Sequence, residues 1–256
     1  MQDILSLPPV SADHRIPYGR DANQFIDLFL PRTKANHPVL MNIHGGYWRA
    51  KYDLKHASRF CRALADSGIA VLSAEYRRVG NTGGGWPGTF NDVLAAWQHL
   101  RALAPKYKLD LDSAGVLGHS AGGQLAIALA CRAQDLSPKP KAAVSLAGVL
   151  DLNRAFELHL SQDAVVAFLA GTPDRVPKRY AEADPMQLRV RVPQVLFHGV
   201  PDQDVPVELS RNYTKAKRAA HENIAYNESR TAVHFEWIDP RTPEFAQIRS
   251  ALAKAL

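Results

Sequence analysis

Short continuous runs of apolar residues alternate with longer amphipathic segments along most of the chain. Five of these runs have the length of strands and are rich in Val, Ile, Leu or Ala. They cover residues 38–45, 69–76, 114–120, 141–149 and 193–199. Because apolar and polar residues do not alternate within them, the runs predict strands buried on both faces, and hence a parallel sheet with crossover helices.

The two ends of the chain and one internal segment have different patterns. Residues 14–31 alternate partially and contain turn residues, which predicts two antiparallel strands at one edge of the sheet. Residues 151–188 contain helical pieces without a strong strand, and the last strand, IAYNESR, precedes a terminal helix over 243–256. We therefore expect an α/β fold with a mostly parallel sheet of about eight strands and helices on both faces. We interpret residues 1–256 as a single domain with a small cap-like insertion at about 151–188.

A serine flanked by glycines stands where the third of these runs gives way to an Ala/Leu-rich helical segment. The pattern G-x-S-x-G runs from Gly118 through Ser120 to Gly122. Such a strand–serine–helix corner is a nucleophile elbow, in which a strained backbone exposes the serine and leaves no room for bulky neighbours. In sheets of this class, ligands bind beyond the carboxyl ends of the strands, so Ser120 is the candidate nucleophile.

A serine hydroxyl requires a general base to become a good nucleophile, and the chain has ten histidines. His44, His119 and His198 lie at strand ends, where we expect them to brace loops. His234 follows the predicted last strand through a short turn and precedes the terminal helix. From that position its ring could reach over the elbow, so we expect His234 to be the base.

The imidazole in turn needs a carboxylate to fix its tautomer and stabilise the imidazolium ion. The loop after residues 193–199 contains two candidates, Asp202 and Asp204. The pattern of residues alone leaves both open. Either one gives the order Ser, Asp, His that is expected for this class of fold.

Acyl transfer also needs N–H donors for the oxyanion that develops on the substrate. The amide of Ala121, directly after the serine, is one candidate. The loop His44-Gly45-Gly46-Tyr47-Trp48 follows another predicted strand, and its glycines allow close approach of the backbone. We expect the amides of Gly46 and Tyr47 to complete the oxyanion hole.

Several less specific features border these motifs. Trp48 and Trp86 are candidates for substrate-binding walls of a pocket, together with Tyr47, and the glycines at 83–85 for a flexible rim. The glycine run lacks the spacing of a phosphate or dinucleotide site, and no zinc motif occurs, so no metal or organic cofactor is expected. Asp184 precedes Pro185 and fits a helix cap.

Composition and charge narrow the class of protein. The chain is 46% hydrophobic and 22% charged, with a net charge of +6. The basic residues are scattered and not interleaved with aromatic ones, which disfavours a nucleic-acid partner. No apolar stretch reaches the roughly 18 residues that span a bilayer, and no secretory signal is evident, so we expect a cytoplasmic protein without a membrane partner. Cys61 and Cys131 are expected to be buried apolar residues.

These motifs, in this order, resemble the α/β-hydrolase family over essentially the whole chain. The HGGYW loop is similar to the H-G-G-x-W loop of small bacterial esterases and of arylformamidases of the kynurenine formamidase type. The segments PYGRDANQFIDLFLP, EYRRVGNTGGGWPGTFNDV, GTPDRVPKRYAEADP and HFEWIDP also resemble family segments. In the family, the acid lies three positions after a strand-ending glycine, with Val-Pro shortly beyond. The resemblance therefore implies Asp202 as the acid.

Three functions are compatible with the sequence. The first is a serine hydrolase of small carboxylic esters that works through Ser120, His234 and Asp202 and an acyl-enzyme. The second is an arylformamidase, which would cleave a formyl C–N bond with the same groups. The third is a binding protein on the hydrolase scaffold without activity. The expected partner is a small-molecule ester or amide substrate. The sequence does not specify which one, nor the oligomeric state.

Overall fold

The strands of the described residues form one mixed, eight-stranded sheet. The computed structural model describes residues 3–33 and 35–256; residues 1, 2 and 34, which the predicted domain includes, lie outside the described residues. The strands are β1 (His14–Pro17), β2 (Phe25–Phe29), β3 (His37–Ile43), β4 (Ala70–Ala74), β5 (Leu109–His119), β6 (Ala143–Leu146), β7 (Gln194–Gly199) and β8 (Ile224–Ser229). Their order across the sheet is β1-β2-β4-β3-β5-β6-β7-β8.

The direction of the strands agrees with the sequence patterns. Strands β1 and β2 form an antiparallel pair, and β2 pairs antiparallel with β4. From β4 to the β8 edge, every neighbouring pair is parallel. Each of the five apolar runs forms a strand, and the prediction of a mostly parallel sheet with an antiparallel edge is confirmed.

Helices cover both faces of this sheet. They are α1 (Ser58–Asp66), α2 (Gly88–Tyr107), α3 (Ala121–Cys131), α4 (Leu152–Glu157), α5 (Ala164–Leu169), α6 (Pro177–Ala183), α7 (Glu208–Ala219) and α8 (Pro243–Ala255). Neighbouring residues of β3 enter different cores, since Val39 and Met41 belong to one apolar cluster and Leu40 to another. Helices α2 and α3 contribute to the first cluster, and α1 and α8 to the second. A strand covered on both faces needs apolar residues at every position, which explains the continuous runs.

The parallel arrangement brings three functional loops to one edge of the sheet. Strand β3 ends at Ile43 just before the HGGYW loop, and its neighbour β5 ends at His119 just before Ser120. Strand β7 ends at Gly199, and the loop after it contains Asp202. All three loops follow carboxyl ends of parallel strands, where the fold class places its binding sites.

The segment 151–188 contains helices α4, α5 and α6 and a 3₁₀ turn at Pro185–Gln187, without a strand. Asp184 is fully buried and connects the two ends of this segment. Its carboxylate accepts N–H bonds from Leu152 and from Met186, both at 3.1 Å. Burial raises the pKa of Asp184, despite these hydrogen bonds, which lower it. Asp184 therefore caps a helix, as the sequence indicated, and also closes the base of the insertion.

The two cysteines are free thiols that differ in burial. Cys61 is buried and Cys131 half-buried, and neither forms a disulfide. Burial raises the pKa of both thiols to about 12. Within residues 3–33 and 35–256, no helix has the length and apolar character needed to cross a membrane.

Candidate active site

Ser120 occupies a strained corner between β5 and α3. Its φ of 56° and ψ of −123° lie outside the regions that residues with a side chain normally adopt. The flanking glycines are required by close backbone contacts. A Cβ atom on Gly118 would lie 2.0 Å from the carbonyl oxygen of Gly122, and one on Gly122 would lie 2.0 Å from that of Ile43. The G-x-S-x-G spacing therefore reflects steric need, as a nucleophile elbow requires.

The HGGYW loop lies directly against this corner. A Cβ atom on Gly45 would be 2.9 Å from Cβ of Ser120, so only glycine fits there. Gly46 and Tyr47 follow with positive φ values of 113° and 49°. Among the described residues, the amides of Gly46, Tyr47 and Ala121 have no hydrogen-bond acceptor. Three N–H donors, one directly after the serine and two in the adjacent loop, are thus unpaired.

A buried polar cluster holds the HGGYW loop from behind. Nδ1 of His44 faces the Gly45 carbonyl oxygen at 2.7 Å, and Nε2 faces Oε1 of Glu75 at 3.0 Å. The guanidinium of Arg78 lies 2.8 Å from the same carboxylate, and the His44 ring stacks on Tyr76 with centroids 4.4 Å apart. Burial raises the pKa of Glu75, but His44 and Arg78 outweigh this effect and lower it. His44 braces its loop, as expected from the sequence.

Asp202 and His234 form a direct hydrogen bond. Nδ1 of His234 donates to Oδ2 of Asp202 at 2.8 Å, and the carboxylate side chain is fully buried. The other oxygen, Oδ1, accepts the amides of Asp204 and Val205, both at 2.9 Å. Burial alone would raise the pKa of Asp202, but the hydrogen bonds from His198 and His234 hold it well below its usual range. Of the two carboxylates left open by the residue pattern, Asp202 is therefore the one bonded to His234.

The loop that carries His234 is tied to the elbow by His119. Nε2 of His119 donates to the carbonyl oxygen of His234 at 2.9 Å, and the two rings lie 4.5 Å apart. Burial lowers the pKa of His119 well below its ordinary value, so the ring is neutral. Ser120 and His234 line the same cavity, although no hydrogen bond joins their side chains within the described part of the chain. Such bonds are often long in ligand-free enzymes and shorten when substrate binds.

The cavity has a volume of about 460 Å³, which suits a small organic molecule. It is lined by Leu5, Gly46, Tyr47, Tyr52, His56, His119, Ser120, Leu158, His159, Leu160, Ser161, Gln203, Asp204, His234 and Phe235. Of the predicted aromatic walls, Tyr47 is present. Tyr52 and His56 were not predicted, because they come from segments without a recognisable motif. The insertion was expected to shape the pocket, and its residues 158–161 line the cavity.

Trp48 and Trp86 do not line this cavity, contrary to expectation. Trp48 is buried beneath the insertion, where its ring stacks on Phe168 at 4.5 Å and its indole N–H donates to Gln124 at 3.0 Å. Trp86 stacks on Phe90 with centroids 5.2 Å apart. The glycines at 83–85 are also not part of the rim. A Cβ atom on Gly84 would lie 1.9 Å from the carbonyl oxygen of Arg78, so the glycine is needed for close packing of two backbone segments.

The wall formed by the insertion has an unusual backbone. His159, Ser161, Gln162 and Asp163 all have φ values between 49° and 56°. Arg49, just after the HGGYW loop, holds this segment by donating to the carbonyl oxygens of Ser161 and Gln162. The guanidinium of Arg49 therefore connects the end of the HGGYW loop to the wall that the insertion forms.

One group of described residues could offer ligand atoms to a cation. These atoms, from Asp202, Asp204 and His234, lie within 4.8 Å of one another. However, both oxygens of Asp202 already accept N–H bonds, one of them from His234. The arrangement is thus that of a hydrogen-bonded acid–base pair.

Comparison with known proteins identifies the family. The BD-FAE family profile matches residues 26–216, most of the chain. The chain belongs to the BD-FAE family. This is an α/β-hydrolase family of esterases, which confirms the resemblance seen in the sequence.

Individual proteins of the α/β-hydrolase fold are also similar to this chain in sequence or in structure. The chain is 29% identical to esterase LipC of Mycobacterium tuberculosis over 255 residues, covering 88% of this chain and 60% of LipC. It is 24% identical to kynurenine formamidase of Danio rerio over 251 residues, covering 94% of this chain and 80% of that protein. A truncated carbohydrate esterase from gut microbiota superposes with a TM-score of 0.82 at 22% identity and covers 97% of both chains. That structure confirms the α/β-hydrolase fold.

Proposed function

We propose that this BD-FAE protein is a serine hydrolase that cleaves small carboxylic esters. The observation that carries the proposal is the buried hydrogen bond between Asp202 and His234, because His234 lines the same cavity as the strained Ser120. The unpaired amides of Gly46, Tyr47 and Ala121 beside that serine support it. Relatives that are named esterases or carboxylic ester hydrolases support the same class of reaction.

In the proposed reaction, Oγ of Ser120 attacks the acyl carbon while its proton passes to Nε2 of His234. Asp202 accepts the Nδ1–H bond and stabilises the resulting imidazolium. The three unpaired amides bind the negative oxygen of the tetrahedral intermediate. The C–O bond to the alcohol then breaks, and the alkoxide takes the proton from His234. A water molecule then attacks the acyl-enzyme while His234 takes its proton, and the acid and the free Ser120 hydroxyl are released.

The direct test is a Ser120→Ala variant assayed on short-chain 4-nitrophenyl esters. We expect hydrolysis to fall to near the uncatalysed rate, because the nucleophile is lost. The variant should keep its fold, since alanine removes only a hydroxyl at this position. Thermal unfolding of both proteins serves as the control. Full activity of a folded Ser120→Ala variant would exclude the proposal.

A second candidate activity is cleavage of an aryl formamide. It is supported by the similarity to Danio rerio kynurenine formamidase, which covers most of both chains. Turnover of N-formylkynurenine, measured beside alkyl, acetylated-sugar and feruloyl esters, separates the two activities. A higher kcat/KM for the formamide than for every ester would favour this second candidate. A folded wild-type protein that hydrolyses none of these substrates would favour a binding protein without activity.

We also propose that the protein acts in the cytoplasm and that its partner is a small molecule. Two free cysteines are compatible with a reducing compartment. The scattered basic residues give no support for a nucleic-acid partner. Fractionation of cells that express the full-length protein at its natural level tests the location.

A further inference from the structure

Asp204 lies beside the reacting groups but does not take part in the Asp202–His234 pair. Its backbone is fixed on both sides. The amide of Asp204 donates to Oδ1 of Asp202 at 2.9 Å, and its carbonyl oxygen accepts the phenol of Tyr47. Asp204 is exposed and lines the same cavity as Ser120. A carboxylate on a fixed backbone therefore faces the space where substrate would bind.

Within residues 3–33 and 35–256, no hydrogen bond or ion pair engages the Asp204 carboxylate. One of its oxygens nevertheless lies within 4.8 Å of a ligand atom of His234 and of Asp202. Asp202 differs from it because its charge is shared among two histidines and two backbone amides. Asp204 is thus the carboxylate of the site whose charge is available to a ligand.

The other cavity-lining residues do not balance this charge. No lysine or arginine is among the described residues that line the cavity. Burial lowers the pKa of His56 to about 4 and lowers that of His119 well below its ordinary value, so both rings are neutral near pH 7. His159 faces its own carboxylate, Asp163, at 2.8 Å. Among the described residues that line the cavity, Asp204 therefore contributes the one carboxylate, and no lysine or arginine of the lining neutralises it.

We infer that Asp204 determines specificity for substrate charge, favouring esters that carry an ammonium group near the reacting carbonyl and rejecting those with a carboxylate there. This inference rests on the proposed esterase function. A charge a few ångströms from the carboxylate, in a cavity partly shielded from water, interacts strongly enough to change kcat/KM on the order of tenfold. Neutral esters are unaffected by this selection.

Two series of matched esters test the inference. In the first, 4-nitrophenyl esters carry the acyl groups 4-(trimethylammonio)butyrate, 5,5-dimethylhexanoate and glutarate, which are cationic, neutral and anionic with similar length. In the second, the acetate esters of choline, 3,3-dimethylbutanol and 3-hydroxypropanoate place the charge on the alcohol. Both series are needed because the charged end could lie on either side of Ser120. Rates without enzyme are subtracted.

The measured quantity is the ratio of kcat/KM for the cationic ester to that for the anionic ester. This ratio cancels any change in His234 that affects all substrates equally. In wild type we expect a ratio of about tenfold or more in at least one series, falling at high salt. Asp204→Asn should reduce that ratio about tenfold, and Asp204→Glu should restore it. Asp135→Asn makes the same change in net charge beyond the far end of α3 and should leave the ratio unchanged.

Ratios that are equal in wild type and Asp204→Asn, in both series, would overturn the inference while leaving the esterase function intact. The backbone bonds of Asp204 do not involve its side chain, so the asparagine variant should fold, and thermal unfolding checks this. Failure of wild type to hydrolyse any of the esters would overturn the proposed function and this inference with it. The two failures are therefore distinguishable.

Discussion

Replacing Asp202 by asparagine should abolish most activity while leaving the fold in place. Asparagine keeps an oxygen that can accept the amides of Asp204 and Val205, as Oδ1 does now at 2.9 Å. Its NH₂ group then faces Nδ1 of His234, where a carboxylate oxygen accepts a proton at 2.8 Å in the wild type. Two donors cannot bond, so the imidazole must shift its proton to Nε2. That nitrogen can then no longer accept the proton of Ser120.

The expected loss in kcat is about 10³–10⁴-fold, or roughly 4–5.5 kcal/mol of transition-state stabilisation. What remains comes from substrate binding and from the oxyanion donors, which the substitution does not touch. The assay is the steady-state kcat of a neutral 4-nitrophenyl ester near neutral pH, with unfolding by urea as the check on stability. The same change at Asp204 should cost far less, because Asp204 does not bond to His234. A loss of less than tenfold in Asp202→Asn would refute the assignment of the acid.

Two further predictions concern the groups that support the site. Glu75→Gln removes the buried charge that pairs with His44 and Arg78, so we expect a loss of about 3 kcal/mol in the free energy of unfolding. We also expect a lower kcat, because the HGGYW loop is held less firmly. A loss below about 1 kcal/mol in urea denaturation would contradict this prediction. The folded pKa of Asp202 lies below the unfolded value of about 3.9, so its stabilising effect is present above that pH and is lost as the pH falls below about 4. Unfolding measured between about pH 3 and pH 6 should therefore show a shallower acid decline in Asp202→Asn than in wild type, and parallel curves would argue against this linkage.

The features that local sequence could predict are those with a local physical cause. Strands buried on both faces need apolar residues at every position, and this requirement is visible in β3, where Val39 and Leu40 enter different cores. The glycines around Ser120 are required by contacts within a few residues and with the adjacent strand. Both patterns could therefore be recognised from spacing alone.

The choice between Asp202 and Asp204 depends on how one loop turns. The two carboxylates are two residues apart. The amides of Asp204 and Val205 fold back on Asp202, and its carboxylate is the one that hydrogen-bonds to His234. The residue pattern does not contain that direction. The resemblance to the family supplied it, through the spacing from Gly199 and the Val-Pro pair.

The walls of the cavity could not be predicted, because they depend on packing between distant segments. Tyr47 and Trp48 both have positive φ, and this twist directs adjacent aromatic side chains to different places. Trp48 packs on Phe168 of the insertion, more than a hundred residues away, and is removed from the cavity. The wall at 158–161 depends on the contacts of Arg49 with the strained segment.

The most direct measurement of the central claim is covalent labelling by a fluorophosphonate, which reacts with a serine only when that serine is activated. Intact-mass and peptide mass spectrometry should show one adduct per chain, on the peptide that contains Ser120. Ser120→Ala should show no adduct, and His234→Ala should react much more slowly because the serine has lost its base. An adduct on another residue, or no adduct on the folded wild-type protein, would contradict the account.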